Sequence, residues 1–224
     1  MNKYVKNLNR IEFVVTYACT GRCRHCSEGA HSGAGACIAP GAAAGAVRDV
    51  AGRYAITSVM AFGGEPLLYP ETVDAAHAAA ADAGVPKRQL ITNGFFSRDC
   101  GRIRDVAGSL VRHGTNSVLL SADAFHQEAI PLEPVKAFAA ELKGLGIFLR
   151  VHPAWVVDKA HDNPYNRRTA GILAEFEEMG VSQSEGNVIV PMGNAAKYLG
   201  EYYDMSREYT DPYEEDPADV RTIS

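Results

Sequence analysis

Ile11-Glu12-Phe13-Val14-Val15-Thr16-Tyr17-Ala18-Cys19-Thr20-Gly21-Arg22-Cys23-Arg24-His25-Cys26 reads as a short strand that runs straight into a loop crowded with thiols. Its first six residues are mostly β-branched or aromatic, the composition of a strand packed in a sheet. Five later runs share that character, at 58–62, 89–92, 117–121, 147–151 and 187–190, each bounded by Gly, Asn or Pro. Helical patterns fill the gaps at 42–54, 72–83, 102–113, 133–145 and 168–179. The fourth repeats Val135, Phe138, Ala139, Leu142 and Leu145 at helical spacing and stops at Gly146, a C-terminal signal. Strands that alternate with helices predict an α/β fold whose parallel sheet is built from βαβ units. Periodicity leaves two architectures open, a doubly wound sheet and a curved, partly closed barrel. In both, chemistry belongs at the carboxyl ends of the strands.

The whole chain fits this reading. It has 224 residues, 46% hydrophobic and 22% charged, enough for one domain with a sizeable core and too apolar for a disordered chain. The net charge of −5 provides no broad electrostatic footprint for nucleic acid or an anionic membrane. No apolar run reaches the roughly 20 residues of a membrane span. The first ten residues lack the apolar stretch of a secretion signal, so a cytoplasmic chain is expected. Five cysteines, three of them within eight positions, make a poor disulfide framework and a good metal site. Isolated Cys37 and Cys100 are expected as buried apolar filler.

Every unusual cluster falls at a strand end. Cys19 to Cys26 follows the first strand, Gly63-Gly64-Glu65-Pro66 the second and Asn93-Gly94 the third. Ser121-Ala122-Asp123-Ala124-Phe125-His126 follows the fourth, Arg150 and His152 lie on and after the fifth, and Pro191-Met192-Gly193-Asn194 follows the sixth. Three thiolates on one tight loop can each bind one iron of a cubane cluster and leave the fourth iron open to a chelating ligand. The alternative is a zinc held by the three cysteines with His25 or His31.

Cys19-x3-Cys23-x-His25-Cys26 after the first strand, with Gly63-Gly64-Glu65-Pro66 after the second, resembles the radical S-adenosylmethionine (SAM) superfamily over about residues 10–195. That resemblance implies a partial (β/α)6 TIM-like barrel with a parallel sheet, an oxygen-sensitive [4Fe-4S] cluster, and SAM chelated to its open iron. An electron from the cluster would cleave SAM to a 5′-deoxyadenosyl radical that abstracts hydrogen from substrate. Carried over, Cys19, Cys23 and Cys26 are the metal ligands and His25 lies near the adenine. Gly63, Gly64 and Glu65 bind the methionine amino end. Ser121 and Asp123 meet the ribose, although Asp123 would also serve as a helix cap. Arg150 meets the SAM carboxylate or ribose, Asn93 is a further contact, and the stretch from Val190 to Met192 lies beside the adenine. A low-potential electron donor of flavodoxin or ferredoxin type is implied.

The substrate side is less distinctive. His126 and His152 are candidate acid–base residues, each also readable as a packed loop histidine. Trp155 reads as core or pocket wall. The run Asn163-Pro164-Tyr165-Asn166-Arg167-Arg168 reads as a loop, solvated or facing a polar or anionic substrate. Residues 1–193 form the expected core, and 194–224 a C-terminal helix or tail that closes the barrel, contacts a partner or begins a longer protein. Val220 to Ile223 reads as the start of a strand. No cysteine follows Cys100, so an auxiliary cluster extension is not expected, and a small molecule or short peptide is the favoured substrate. Two other readings are a zinc-stabilised binding module and a degenerate cluster- and SAM-binding protein without radical chemistry.

Overall fold

The computed structural model describes residues 7–27, 35–206 and the backbone of 222–223. His31 lies outside the described residues. In chain order the elements are β1 (Arg10–Val14), α1 (Pro40–Ala51), β2 (Ser58–Phe62), α2 (Pro70–Asp82), β3 (Lys87–Thr92), α3 (Cys100–Arg112), β4 (Ser117–Leu120), α4 (Leu132–Gly144) and β5 (Phe148–Val151). Then follow β6 (Ala154–Trp155), α5 (Pro164–Glu178), β7 (Ser182–Gln183), β8 (Asn187–Val188), α6 (Asn194–Leu199) and β9 (Thr222–Ile223). The main sheet runs β7-β5-β4-β3-β2-β1-β9, parallel throughout. Its two edges do not pair with each other, so the barrel is partial.

Register decides which face carries the core. Ile11, Phe13, Val59, Ala61, Leu90, Val118, Leu120, Leu149 and Val151 all point to the helical layer and are buried there. Val106 and Leu110 of α3 and Val135, Phe138 and Leu142 of α4 meet them. Each fully buried Leu or Phe contributes about 1.5–3 kcal/mol of transfer free energy. Helix starts follow their local chemistry. Asp99 accepts from the Arg102 N–H at 2.6 Å, and prolines open α1, α2 and α5, where a missing N–H costs nothing.

Three expectations are corrected. The sixth strand of the sheet is Ser182–Gln183, paired with β5, whereas Asn187–Val188 pairs with Ala154–Trp155 in a separate two-stranded sheet. Pro153, with no N–H to extend the β5 ladder, marks where the chain leaves the main sheet. The run from Asn163 to Arg168 is no loop: Asn163 caps α5 by accepting from the Asn166 N–H at 2.9 Å, so the helix begins at Pro164. Cys37 and Cys100 are exposed. Cys37 sits on an isolated bridge to Thr16 and Cys100 in the first turn of α3, so neither faces the core.

Candidate active site

The carboxyl ends of the strands are stitched to one another in sequence order. The Val15 N–H donates to the Phe62 carbonyl at 2.8 Å, Gly64 to Thr16 at 2.7 Å and Glu65 to Ala18 at 2.8 Å. Ser121 donates to Thr92 at 2.8 Å and His152 to Leu120 at 2.8 Å. This draws the cysteine loop over a cavity of about 530 Å³ at that edge. Cys19, Cys23, Cys26, His25, Gly63, Gly64, Asn93, Ser121, Asp123, His126, His152 and Met192 all line it.

The two glycines have a more immediate reason than ligand approach. A Cβ on Gly64 would stand 2.2 Å from the Ala18 carbonyl oxygen, and one on Gly63, where φ is +141°, 2.5 Å from that of Thr16. Only bare backbone lets β2 run this close to the cysteine loop. Gly21 lies close under the thiols: a Cβ there would make a tight contact of 3.3 Å with Cys23 Sγ and an ordinary one of 3.6 Å with Cys19 Sγ.

Glu65 is a correction. It does not line the cavity, being fully buried. Its Oε1 accepts from the Leu67 N–H at 2.9 Å and the Thr92 hydroxyl at 2.7 Å, and its Oε2 from the Asn93 N–H at 2.8 Å. Burial pushes its carboxyl up to about 7, against the pull of these donors. Glu65 therefore ties the end of β2 to the end of β3, and through it Asn93 is aimed at the loop. The Asn93 amide donates to Cys19 Sγ at 3.6 Å and Thr20 Oγ1 at 3.2 Å.

Asp123 is likewise committed. Oδ1 accepts from the N–H groups of Phe125 (2.9 Å) and His126 (3.0 Å), and Oδ2 from His126 Nδ1 (2.9 Å) and the Ala154 N–H (3.1 Å). Four donors meet two oxygens, and Oδ1 closes the turn that leads into the short 3-10 segment His126–Glu128. Burial alone would raise the Asp123 carboxyl, but His126 beside it holds it below the ordinary carboxylate range. Burial likewise opposes charge on His126, and Asp123 and Cys23 override it, raising the imidazole well above its usual value. His25 is pushed down to about 4 by burial, and its Nδ1 is buried without a partner. Its ring centroid lies 5.0 Å from those of Phe125 and His126.

Arg150 is a second correction. It lies outside the cavity lining, exposed, with its guanidinium carbon 4.8 Å from the Phe148 ring centroid. Alternation places it on the open face in register with Leu119 and Ile91, and its guanidinium turns to the Phe148 ring of its own strand. His152 does reach the rim. Its Nδ1 lies 2.7 Å from Ser184 Oγ, and burial lowers it from its ordinary value. Trp155 is buried, its indole N–H donating to the Glu185 carbonyl at 2.9 Å.

Thr92 escaped the sequence reading, and Asn194, placed at a strand end, was given no role there. Thr92 hydrogen-bonds Glu65 and accepts from the Gly94 N–H at 2.9 Å. Asn194 grips the loop from the far end of the chain, its N–H donating to the Cys26 carbonyl at 3.0 Å and its amide to the Cys23 carbonyl at 3.2 Å. The signal for Asn194 was Gly193, whose positive φ of 55° and approach to Ser27 suit glycine.

The residues fit an iron–sulfur cluster. Three sulfurs line one cavity, and Cys19 Sγ receives the Gly21 N–H at 3.3 Å, the kind of donor that steadies a thiolate. Burial pushes the free Cys19 thiol up to about 11, a penalty that a bound metal removes by its own charge. Zinc fits less well. With Zn–S bonds of about 2.3 Å, sulfurs on a zinc tetrahedron stand about 3.8 Å apart, whereas the three here do not form a group within 4.8 Å of one another. His25, Asp123 and His126 do form such a group, but the Asp123 oxygens are already occupied by hydrogen-bond donors.

The fold and site thus define a partial parallel barrel with a thiol-rich cavity at the carboxyl edge of its strands. The model of the Radical SAM superfamily matches residues 13–147, and the chain belongs to that superfamily of enzymes. No curated protein matches it. Among solved structures it resembles Streptococcus suis SuiB bound to S-adenosylmethionine, with 13% identity, a TM-score of 0.58, and coverage of 88% of this chain and 48% of that one. Native anSMEcpe with bound AdoMet is similar at 14% identity and a TM-score of 0.55, over 82% of this chain and 52% of that one. SuiB bound to its precursor peptide SuiA matches at 13% identity and a TM-score of 0.55, over 77% and 38%. The chain spans about half the length of the first two structures and less of the third. No helix among the described residues is long and apolar enough to cross a membrane.

Proposed function

We propose that this protein binds a [4Fe-4S] cluster through Cys19, Cys23 and Cys26, binds SAM beside it, and uses the pair for radical chemistry on a small molecule or short peptide. When bound, the cluster supplies the electron that cleaves SAM reductively, giving a 5′-deoxyadenosyl radical that takes hydrogen from substrate. The observation that carries this reading is the convergence of three cysteine side chains and the Gly63-Gly64 backbone on one cavity.

The chain's own residues divide the work. Gly63 and Gly64 present bare backbone to the methionine end. Ser121 offers a hydroxyl to the ribose, and His25 and the segment through Met192 flank the adenine. Glu65 acts one layer behind, and Asn93 and Asp123 hold loop ends in place from the cavity wall. His152, at the rim, faces the substrate side. Residues 1–193 are the radical core, and 194–224 supply the Asn194 grip and the β9 pairing with β1. A peptide substrate gains support from the structure of SuiB with a precursor peptide. A low-potential flavodoxin- or ferredoxin-type donor in the cytoplasm completes the proposal.

Anaerobic reconstitution tests it. A brown protein absorbing near 400 nm that forms 5′-deoxyadenosine under dithionite supports the reading, and Cys23→Ala should lose the cluster while the barrel stays folded. A colourless protein holding one zinc would overturn it. Cluster and SAM binding without cleavage on any substrate would leave the degenerate reading in its place.

A further inference from the structure

We propose that the outer edge of β8 is a docking edge for a peptide substrate, an extended segment that adds to the small β6–β8 sheet as a third strand and is held there beside the thiols. This chooses a peptide over a small molecule, and it rests on the function proposed above for the chemistry that follows docking.

Backbone alternation leaves this edge bare. The Asn187 N–H donates to the Pro153 carbonyl and the Ile189 N–H to the Trp155 carbonyl, both at 2.9 Å. Successive residues of a parallel strand turn their backbone groups to opposite sides. The N–H and C=O of Val188 therefore face away from β6, and no strand among the described residues pairs with β8 on that side. Exposed edges are ordinarily blunted by charge, by proline or by a covering element. Here Asn187-Val188-Ile189-Val190 carries no charge and three β-branched side chains. Ile189 is buried, whereas Val188 and Val190 are 54% and 48% exposed.

The edge also belongs to the wall of the cavity that holds the three cysteines. Among the described residues eight large apolar side chains are exposed, and four of them, Tyr17, Val188, Val190 and Met192, line this one cavity. Such a concentration of exposed apolar surface marks a binding site. An added strand would satisfy Val188 through main-chain bonds, which are indifferent to sequence, and cover the collar with apolar side chains, which are not. Met192 stands where the adenine of SAM is placed above, so the strand would run from Val188 towards SAM. A second copy of this chain suits the edge less well. Residues 187–190 offer a strip about 13 Å long and one strand wide, far below the roughly 800 Å² per partner that a stable dimer buries. A single extended segment needs no more.

The test titrates the full chain, after anaerobic reconstitution, with the blocked peptide acetyl-Lys-Val-Thr-Val-Thr-Lys-amide and follows backbone amides by nuclear magnetic resonance. The Val188 and Val190 amide signals should shift saturably, and the Val188 N–H should exchange more slowly with solvent. The same peptide N-methylated at every central residue, which removes its donors, should bind roughly tenfold more weakly or worse. Val188→Lys, a charge of the kind that blunts edges, should weaken binding of the first peptide while far-UV circular dichroism is unchanged, and Val188→Thr should keep it. Equal binding of the two peptides, or no change at Val188 with either, would overturn the proposal. Shifts at Val188 that depend on protein concentration without peptide would give the edge to a second copy and overturn it as well. Peptide binding by a chain that holds no cluster or cleaves no SAM would leave the docking edge standing and sink the radical reading. SAM cleavage by a chain that binds neither peptide would do the reverse.

Discussion

The side-chain amide of Asn194 donates to the backbone carbonyl of Cys23 at 3.2 Å, across 171 positions of sequence. A residue at the start of α6 therefore helps set the shape of the loop that carries the thiols. Removing one such bond costs about 1 kcal/mol. Asn194→Ala should lower the iron taken up per chain on anaerobic reconstitution, with little change in far-UV circular dichroism. Asn194→Asp should do worse, because it turns a carboxylate oxygen towards a carbonyl oxygen and nearby thiolates. Equal iron uptake by all three proteins would show that the grip is incidental.

Gly64→Ala should be more damaging than its size suggests. The added methyl would stand 2.2 Å from a backbone oxygen and 2.7 Å from its carbon, and neither can rotate away. The end of β2 and the cysteine loop must then separate. Both SAM affinity, read by calorimetry, and cluster content should fall at least tenfold, while the helical layer stays folded. Native binding in this variant would mean that the close approach is not required.

Glu65→Ala distinguishes a ligand from a support. As a ligand to SAM alone, Glu65 would leave the stability of the unloaded protein unchanged. As the acceptor for the buried donors of Leu67, Thr92 and Asn93, its removal strands all three, at about 1–3 kcal/mol for each unsatisfied group and with incomplete additivity. Urea unfolding of the apoprotein should show a loss of at least about 3 kcal/mol.

His77 carries a pH dependence that has nothing to do with the cavity. It is fully buried in α2, with Nδ1 2.7 Å from Thr115 Oγ1. Burial and the charge of Arg88 depress its pKa to about 3, against an ordinary 6.5. The folded state thus resists protonation that the unfolded chain accepts. Stability from the neutral ring is present above about pH 6.5 and is lost as pH falls towards 3, at up to about 1.4 kcal/mol per pH unit. His77→Leu should flatten this slope in urea titrations between pH 7 and pH 4, whatever it does to absolute stability. An unaltered slope would assign the acid sensitivity to other groups.

Much of this site was legible before any coordinates. Three thiols in eight positions, a Gly-Gly-Glu-Pro turn and the Ser121 and Asp123 pair all followed short apolar runs, and a parallel sheet sends the ends of its strands to one edge. Reading strand ends was therefore enough to gather twelve of the fourteen named candidates onto one cavity wall. Glu65 and Arg150 lie off that wall for different reasons. Glu65 was assigned by the charge it could offer, whereas its burial beneath three donors depends on the neighbouring strand. Arg150 was assigned by the resemblance and its place on the fifth strand, which does not say where a long side chain turns, and here it lies over the Phe148 ring.

The apolar pattern at period two and the helical repeats by themselves determined the α/β class, the first five strands, and the edge at which chemistry gathers. These are local properties of the chain, and each run of residues carries its own evidence. Tertiary structure alone decided that the sixth strand is Ser182–Gln183, that Gly63 and Gly64 are bare to admit the cysteine loop, that Asp123 holds His126, and that Asn194 holds Cys23. All but the Asp123–His126 pair depend on a partner far away in sequence, and that pair depends on the burial the fold gives it. Hydrogen-bond donors and acceptors announce what they can bind, and only the fold chooses what they meet.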